Sequence, residues 1–307
     1  MIAAERNNGL PDPAALLERQ RRNEPMSRHS SWRAGGPAEF YFRPADRAEL
    51  VAYMQALPAT TPIHFIGLGS NLLVRDGGLP GAVIAVQDAL GGWRDLGAGR
   101  MYAGAGLPCT VFARQCVRLG LGPAEFFAGI PGTIGGALKM NAGAFGGETW
   151  DQVESVEVIN RRGKVTMRLP DEYEIRYRHT ALLSGPAEEW FIGAHFHFAT
   201  DFDTSMETMR TLVNQRKETQ PLGLPSCGSV FRNPPDDHAA RLIEAAGLKG
   251  YAIGDAVVSE KHANFIINTG SASAADIENL INHVQAEVLA QHGVELQREV
   301  HILGEAA

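Results

Sequence analysis

Between Gly129 and Gly147 the chain reads Gly-Ile-Pro-Gly-Thr-Ile-Gly-Gly-Ala-Leu-Lys-Met-Asn-Ala-Gly-Ala-Phe-Gly-Gly. Six glycines after Gly129 let main-chain N–H groups approach a partner closely, so this run is the part of the chain least like an ordinary helix or strand, and a ligand-facing loop is favoured over a plain set of turns. Lys139 is the only charge in the run. A phosphate bound here would be held mainly by peptide dipoles, and a flat ring would fit equally well.

The rest of the chain narrows what that ligand can be. A formal charge of −7 on 307 residues argues against a broad nucleic-acid or anionic-membrane surface, which leaves a small molecule in a local pocket. No apolar run is long enough to span a bilayer, and Met1 to Met26 is polar with Arg19, Arg21 and Arg22, unlike a secretory signal. Cys109, Cys116 and Cys227 are odd in number and form no Cys-x-x-Cys, which fits reduced thiols in a cytoplasm rather than a disulfide framework or zinc site. His195 and His197 share a strand face but lack a third ligand, so no metal is expected.

The periodicity describes an α+β protein. A leader is expected over 1–28, poorly ordered or helical. Strands follow at 38–42, 63–67 and 82–86, with a helix from Asp46-x-x-Glu49 between the first two. A helix over 110–119 places Phe112, Cys116 and Leu119 on one face, with Gly120 as its stop. Val153–Ile159 and Lys164–Leu169 make a hairpin around Asn160-Arg-Arg-Gly163, and Trp190–Ala199 alternates again. Composition shifts near Asp201. Helices at 204–217, 237–246 and from the Ser273-x-x-Asp276 box, and a last strand over Val294–Leu303, form a second region.

Two nucleotide signatures are absent. Gly67-Leu-Gly-Ser-Asn71 follows a strand as a phosphate loop would, but it lacks the third glycine and the helix of a dinucleotide fingerprint, and no Gly-x-x-x-x-Gly-Lys-Ser/Thr occurs. Polar residues that could carry chemistry stand elsewhere. In Tyr173–Arg178 alternation puts Glu174, Arg176 and Arg178 on one side; Arg216 falls on the inward face of its helix; Glu299 points away from Val300 and Ile302. Ser229 sits in a glycine turn that is not Gly-x-Ser-x-Gly and by itself reads as an ordinary turn serine.

Together, Gly67-Leu-Gly-Ser-Asn-Leu-Leu, Gly129-Ile-Pro-Gly-Thr-Ile-Gly-Gly-Ala, Met140-Asn-Ala-Gly-Ala-Phe-Gly, Tyr177-Arg178-His, Pro225-Ser-Cys-Gly-Ser-Val-Phe and Ser259-Glu-Lys-His-Ala-Asn-Phe resemble the UDP-N-acetylenolpyruvoylglucosamine reductase (MurB) family, in the family's order, from about His29 to Gly304. The resemblance implies a vanillyl-alcohol-oxidase-type (PCMH) FAD domain over 29–200 and a smaller α+β substrate domain over 201–307. Arg33 would belong to the family's opening strand. FAD would be non-covalent, with NADPH as reductant and a UDP-sugar as substrate, in a cytoplasmic monomer that binds neither nucleic acid nor membrane. Cofactor contacts fall on Gly67, Gly69, Ser70, Asn71, Gly129, Gly132, Thr133, Gly135, Gly136, Asn141 and Gly143. By the same resemblance the catalytic positions would be Arg178, Ser229 and Glu299: Arg178 and Glu299 would polarise the substrate carboxylate and Ser229 would donate a proton. Arg216, Asn233 and Lys261 match positions near the sugar nucleotide. The short interval from Arg178 to Arg216 resembles the subgroup without an extra substrate-capping loop. The alternatives are an oxidase of the same flavin fold acting on a sugar or lactone, which would want a flavin-linking His or Cys by the first glycine loop, and a catalytically silent binding module.

Overall fold

A computed structural model describes residues 12–185 and 188–307. The first eleven residues of the expected leader lie outside the described residues. The remainder of that segment is part of the fold. Helix α1 (Pro13–Arg19) starts at Asp12, whose carboxylate accepts from Ala14 N, with Pro13 in its first turn. It packs on α2 (Arg47–Ala56) through Leu16. Strand β1 (Arg21–Pro25) then pairs antiparallel with β2 (Pro37–Phe42), so this stretch is an edge strand and not a loose leader. The segment between them opens with a 3-10 turn over Met26–Arg28, and further on Arg33 is exposed in a bend at φ +56°, rather than in an opening strand.

The first sheet continues with two parallel neighbours. β5 (Leu79–Ala85) lies between β2 and β3 (Ile63–Ile66), giving the order β1-β2-β5-β3. Buried on both faces, β5 reads as a nearly unbroken apolar run, as parallel strands do. One face packs on α1 and α2 through Phe42, Leu50, Tyr53 and Ile84, and β3 runs straight into the Gly67–Asn71 loop.

The second sheet is antiparallel throughout. β6 (Trp93–Gly97), β7 (Arg100–Gly104), β10 (Val153–Asn160), β11 (Val165–Arg168) and β14 (Glu189–His197) stand in the order β11-β10-β14-β7-β6, with the expected Asn160–Gly163 turn joining β10 to β11. Its core face meets α3 (Cys109–Arg118) and α4 (Ile134–Met140) around Phe112, Phe127, Leu138 and Phe196. Cys116 is fully buried there, but Leu119 is 45% exposed because the helix ends at Arg118 and Leu119 turns off it. Two hairpins complete this unit: β8 (Gly143–Ala144) with β9 (Gly147–Glu148), and β12 (Tyr173–Arg176) with β13 (His179–Leu182).

The border between the two units lies later than residue 200. Helix α5 (Met206–Thr219) buries Met209 and packs Met206 in the core of the second sheet, so it belongs to the first unit. A separate core begins near Cys227. It is built from α6 (Ala239–Ala245), α7 (Ala274–His292) and the sheet β15 (Ala252–Ile253), β16 (Ala256–Val258) and β17 (Ile266–Asn268). The Ser273 box caps α7 in both directions, Ser273 Oγ accepting from Asp276 N and Asp276 Oδ2 from Ser273 N.

This second core is completed by the first unit. Trp32, Ala34 and Leu73 insert into it, with Trp32 Nε1 donating to Ile266 O at 2.7 Å. The chain end returns the contact: of the expected last strand only β18 (His301–Leu303) forms, parallel to β4 (Leu72–Val74), while 294–300 runs irregularly beside Val230–Arg232.

Candidate active site at the junction of the two units

Where β3, α4, β14, α5 and the Cys227–Ser229 turn converge, they enclose a cavity of about 1260 Å³. Pockets for a single drug-sized ligand measure roughly 300–1,000 Å³, so this space suits a large cofactor together with a substrate. Both glycine loops line it, and their glycines divide into two kinds. Gly67 has no room for a side chain because Thr133 of the second loop sits against its Cα, and Gly69, at φ +62°, packs on His29 O. These positions let the two loops close on each other. Gly136 is different, since a Cβ there would meet no protein atom within 4 Å and would project into open space. Gly132 meets only Ser70 Oγ at 3.2 Å. The cradle that a ligand could press against is therefore formed by Gly132 and Gly136, with Ser70 opposite.

Other expected cofactor contacts are spent inside the protein. Gly135 N donates to Ala105 O at 2.8 Å. Asn141 is 2% exposed and stands behind the wall, with Nδ2 donating to Glu148 Oε2 at 2.7 Å and Oδ1 accepting from Trp150 N at 3.1 Å. Asn71 does border the cavity, but its amide donates to Glu299 O at 3.0 Å. Gly129 and Gly143 line the cavity too.

The three expected catalytic residues reach one wall from three parts of the chain. Arg178 follows β12, yet it does not share a face with Arg176. It adopts φ +53°, which swings the side chain off the strand, so that Arg176 is exposed and Arg178 half-buried. Its Nη1 and Nη2 donate to Asn141 O at 3.3 Å and Gly143 O at 3.1 Å, and its Nε stands 3.3 Å from Glu299 Oε1. Only 15% of the Glu299 side chain is exposed, and its main-chain N–H donates to Val230 O. Burial pushes the Glu299 carboxyl above its ordinary value although Arg178 and Arg232 pull it the other way. Ser229 lines the same cavity after Gly228 at φ +74°, and its hydroxyl has no hydrogen-bond partner among the described residues.

Arg216 also faces the cavity, from the end of α5, where Nε donates to Gln220 Oε1 at 2.5 Å. Burial lowers its proton affinity, with no carboxylate to oppose this, but a guanidinium stays charged in a protein. Asn233 and Lys261 do not line the cavity: Asn233 Oδ1 accepts from Ala239 N ahead of α6, and Lys261 Nζ donates to Lys217 O. Gln220 and the wall formed by 180–185 and 188–191 were missed from the sequence, where nothing but strand alternation marks them. Cys227 was missed as well. It packs beneath the first glycine loop with Sγ 3.6 Å from Gly69 O, 3% exposed, and burial pushes its thiol up to about 11, so it stays protonated and unreactive.

Known proteins resemble this chain over both units. Residues 38–167 match the FAD binding domain family, and residues 220–303 match the UDP-N-acetylenolpyruvoylglucosamine reductase C-terminal domain. A UDP-N-acetylenolpyruvoylglucosamine reductase of Alkalilimnicola ehrlichii is 55% identical over 307 residues, which cover 100% of this chain and 99% of the relative. The chain belongs to the UDP-N-acetylenolpyruvoylglucosamine reductase family. The family's reductase of Methylococcus capsulatus is 52% identical over 92% of this chain and 93% of its own. The crystal structure of the Thermus caldophilus reductase superposes with a TM-score of 0.76 at 32% identity, over 92% of this chain and 99% of that one. The reductase family brings the α+β class and the vanillyl-alcohol-oxidase-type flavin domain with it, and the C-terminal match begins at residue 220, where α5 has ended.

Proposed function

We propose that this chain reduces UDP-N-acetylenolpyruvoylglucosamine to UDP-N-acetylmuramate with NADPH, as a cytoplasmic monomer in peptidoglycan precursor synthesis. The observation that carries the reading is the Arg178–Glu299 pair, 3.3 Å apart in the cavity that Ser229 and the glycine cradle also line. Gly132, Gly136, Ser70 and the adjoining loop residues would hold the FAD pyrophosphate, and the uncharged cradle with no side chain over Gly136 fits that group. Bound FAD would supply the hydride, taken from NADPH, to the terminal carbon of the enolpyruvyl ether.

The protein's own residues deal with the charge that this addition leaves. Negative charge develops on the substrate carboxylate and the carbon beside it. Arg178, fixed by two carbonyls, and a protonated Glu299 are hydrogen-bond donors suited to that oxyanion. The raised proton affinity of Glu299 supports such a donor role. Ser229, whose hydroxyl has no partner among the described residues, gives its proton to the carbon next to the carboxylate, which completes the addition of H⁻ and H⁺ across the double bond. Arg216 suits the diphosphate by bidentate contact. Asn233 and Lys261 stay as candidates for the sugar nucleotide only through a rearrangement on binding, and the 182–189 connection leaves no long capping loop, in keeping with the loopless subgroup.

The test is an anaerobic titration. NADPH should bleach the yellow protein and the enolpyruvyl nucleotide alone should restore the colour, whereas recovery only on admitting air would favour an oxidase. Ser229→Ala should leave bleaching fast and slow the recovery by roughly 10²–10⁴-fold, the usual worth of a general acid. Equal slowing of both steps would make Ser229 structural.

A further inference from the structure

Asn71, at the end of the first glycine loop, and Asn141, just after α4, bond to the segments that carry Glu299 and Arg178. Asn141 stands at φ +44° just after α4, and both donors of its side-chain amide are taken by protein groups, which leaves none for a phosphate. Besides Glu148 and Trp150 it reaches Arg176 O, with Nδ2 at 3.3 Å. That bond ties the 141–143 backbone to the last residue of β12, two residues before Arg178. The carbonyls of that same backbone, on Asn141 and Gly143, receive the guanidinium. One buried side chain thus fixes both the stem of Arg178 and the acceptors of its head group.

Asn71 does the corresponding work for the carboxylate. Its Nδ2 donates to Glu299 O, and its own carbonyl accepts from His301 N at 3.1 Å, so it grips the chain on either side of Val300, directly after Glu299. The remaining contact of the amide is Met140 Sδ at 3.0 Å, next to Asn141. The first glycine loop, the end of α4 and Glu299 are joined there.

Resting on the reading of the reaction above, we propose that the side chains of Asn71 and Asn141 are positioning groups for the substrate half of the reaction, holding Glu299 and Arg178 in register, rather than ligands of FAD. The pair has to be held because guanidinium and carboxyl come from different units, on segments with no direct main-chain bond to each other. A loosened pair also has a signature in pH. Arg178 opposes the effect of burial on Glu299, so moving it away lets the carboxyl hold its proton to higher pH.

The test uses the full-length flavoprotein with Asn141→Gly and Asn71→Ala, under anaerobic conditions. Glycine keeps the left-handed backbone at position 141 without strain. Both variants should keep FAD with a dissociation constant within about threefold of wild type, a difference of well under 1.4 kcal/mol. Reduction by NADPH should be unchanged. Reoxidation by the enolpyruvyl nucleotide should slow about 10²-fold, the loss that roughly 1 Å of misplacement produces, and the alkaline limb of its pH profile should move to higher pH. FAD affinity weakened by about tenfold or more, with normal reoxidation of the reconstituted fraction, would return both residues to the cofactor and overturn the proposal. Equal slowing of both half-reactions would overturn it too. Should Asn141→Gly fail to fold, Asn71→Ala decides by the same criteria. Wild-type protein that the nucleotide does not reoxidise would sink the proposed substrate instead, and the FAD affinities of the variants would still decide against the asparagines if they fell.

Discussion

Arg178→Lys separates the guanidinium's geometry from its charge. Position 178 has φ +53°, and Lys tolerates that conformation no better or worse than Arg, so the substitution leaves the backbone cost unchanged. What it removes is the fork. Three contacts now fix the head group, to Asn141 O at 3.3 Å, Gly143 O at 3.1 Å and Glu299 Oε1 at 3.3 Å. A single ammonium cannot span two carbonyls and a carboxyl while still presenting a donor to the substrate. Removing one preorganised donor from an oxyanion site costs about 2.7–4 kcal/mol, or roughly 10²–10³ in rate. Because lysine keeps the positive charge, the lower end applies, and we expect about a 10²-fold loss. Stopped-flow absorbance under anaerobic conditions reads the two half-reactions separately. Flavin reduction by NADPH should stay at the wild-type rate while reoxidation by the enolpyruvyl nucleotide falls. A variant that reoxidises within about threefold of wild type, under 1 kcal/mol, would show that the fork is not used. Parallel loss in both half-reactions would place Arg178 in the architecture alone.

Glu299→Gln should impair turnover and, in the same protein, change stability with pH. Burial raises the Glu299 carboxyl above its ordinary 4.5, so the folded state binds this proton more tightly than the unfolded chain does. The stability this contributes is complete below the unfolded value and is lost as pH rises through the folded one. Glutamine stays neutral, so the melting temperature of Glu299→Gln relative to wild type should climb from about pH 4.5 upward; a difference that does not vary with pH would refute the raised carboxyl. Gly67→Ala and Gly136→Ala should part company. Crowding by Thr133 should cost the first about 1–3 kcal/mol of apoprotein stability, whereas the second should hold or gain stability and lose FAD affinity, as isothermal titration would report. The reverse ranking would undo the division of the cradle. Trp32→Phe leaves Ile266 O without its donor in a sealed core and should cost about 1–3 kcal/mol in urea unfolding; no measurable loss would mean that Trp32 does not complete the second core.

Much of this was legible because it is local. The Ser273 box and the stripe Ile277, Leu280, Ile281, Val284 and Val288 specify α7 and its buried face within twenty residues of sequence. Asn160–Gly163 specifies a hairpin in the same way. The proposed catalytic trio was readable only through family resemblance, since nothing around Ser229 marks it as more than a turn. What the sequence hid depends on partners far along the chain. β1 looks like a polar leader because its residues face solvent, and it becomes a strand only when β2 is beside it. Strand alternation put Arg178 with Arg176; a left-handed residue at the strand end breaks the alternation, and an arginine gives no warning of it. Asn71 and Asn141 look like ligand asparagines because they sit in glycine loops, while the groups they bind lie 228 residues away in one case and 35 in the other.

The way the two units are joined explains why the site residues can come from so far apart. Asp76 accepts from Ala274 N at 3.0 Å and from Ala275 N at 2.8 Å, so the first unit caps the longest helix of the second. Beside it, Arg75 forms a two-pronged pair with Glu278 at 2.8 Å and donates to Gly304 O. Trp32 is shared in the opposite sense, its indole and carbonyl bonded to Ile266 and Asn268. Two units that merely touched would slide or hinge, as moderate polar interfaces allow. Here β18 is hydrogen-bonded to β4, which leads directly out of the first glycine loop, and Glu299 stands two residues ahead of β18. The register of a parallel pair therefore sets where Glu299 lies relative to that loop, and a slip of one residue would turn the carboxyl to the other face. Arg178 depends on the second loop through α4 and the 141–143 backbone. The distance between carboxyl and guanidinium is consequently a property of how the two glycine loops pack on each other, and that packing rests on Thr133 against the bare Cα of Gly67.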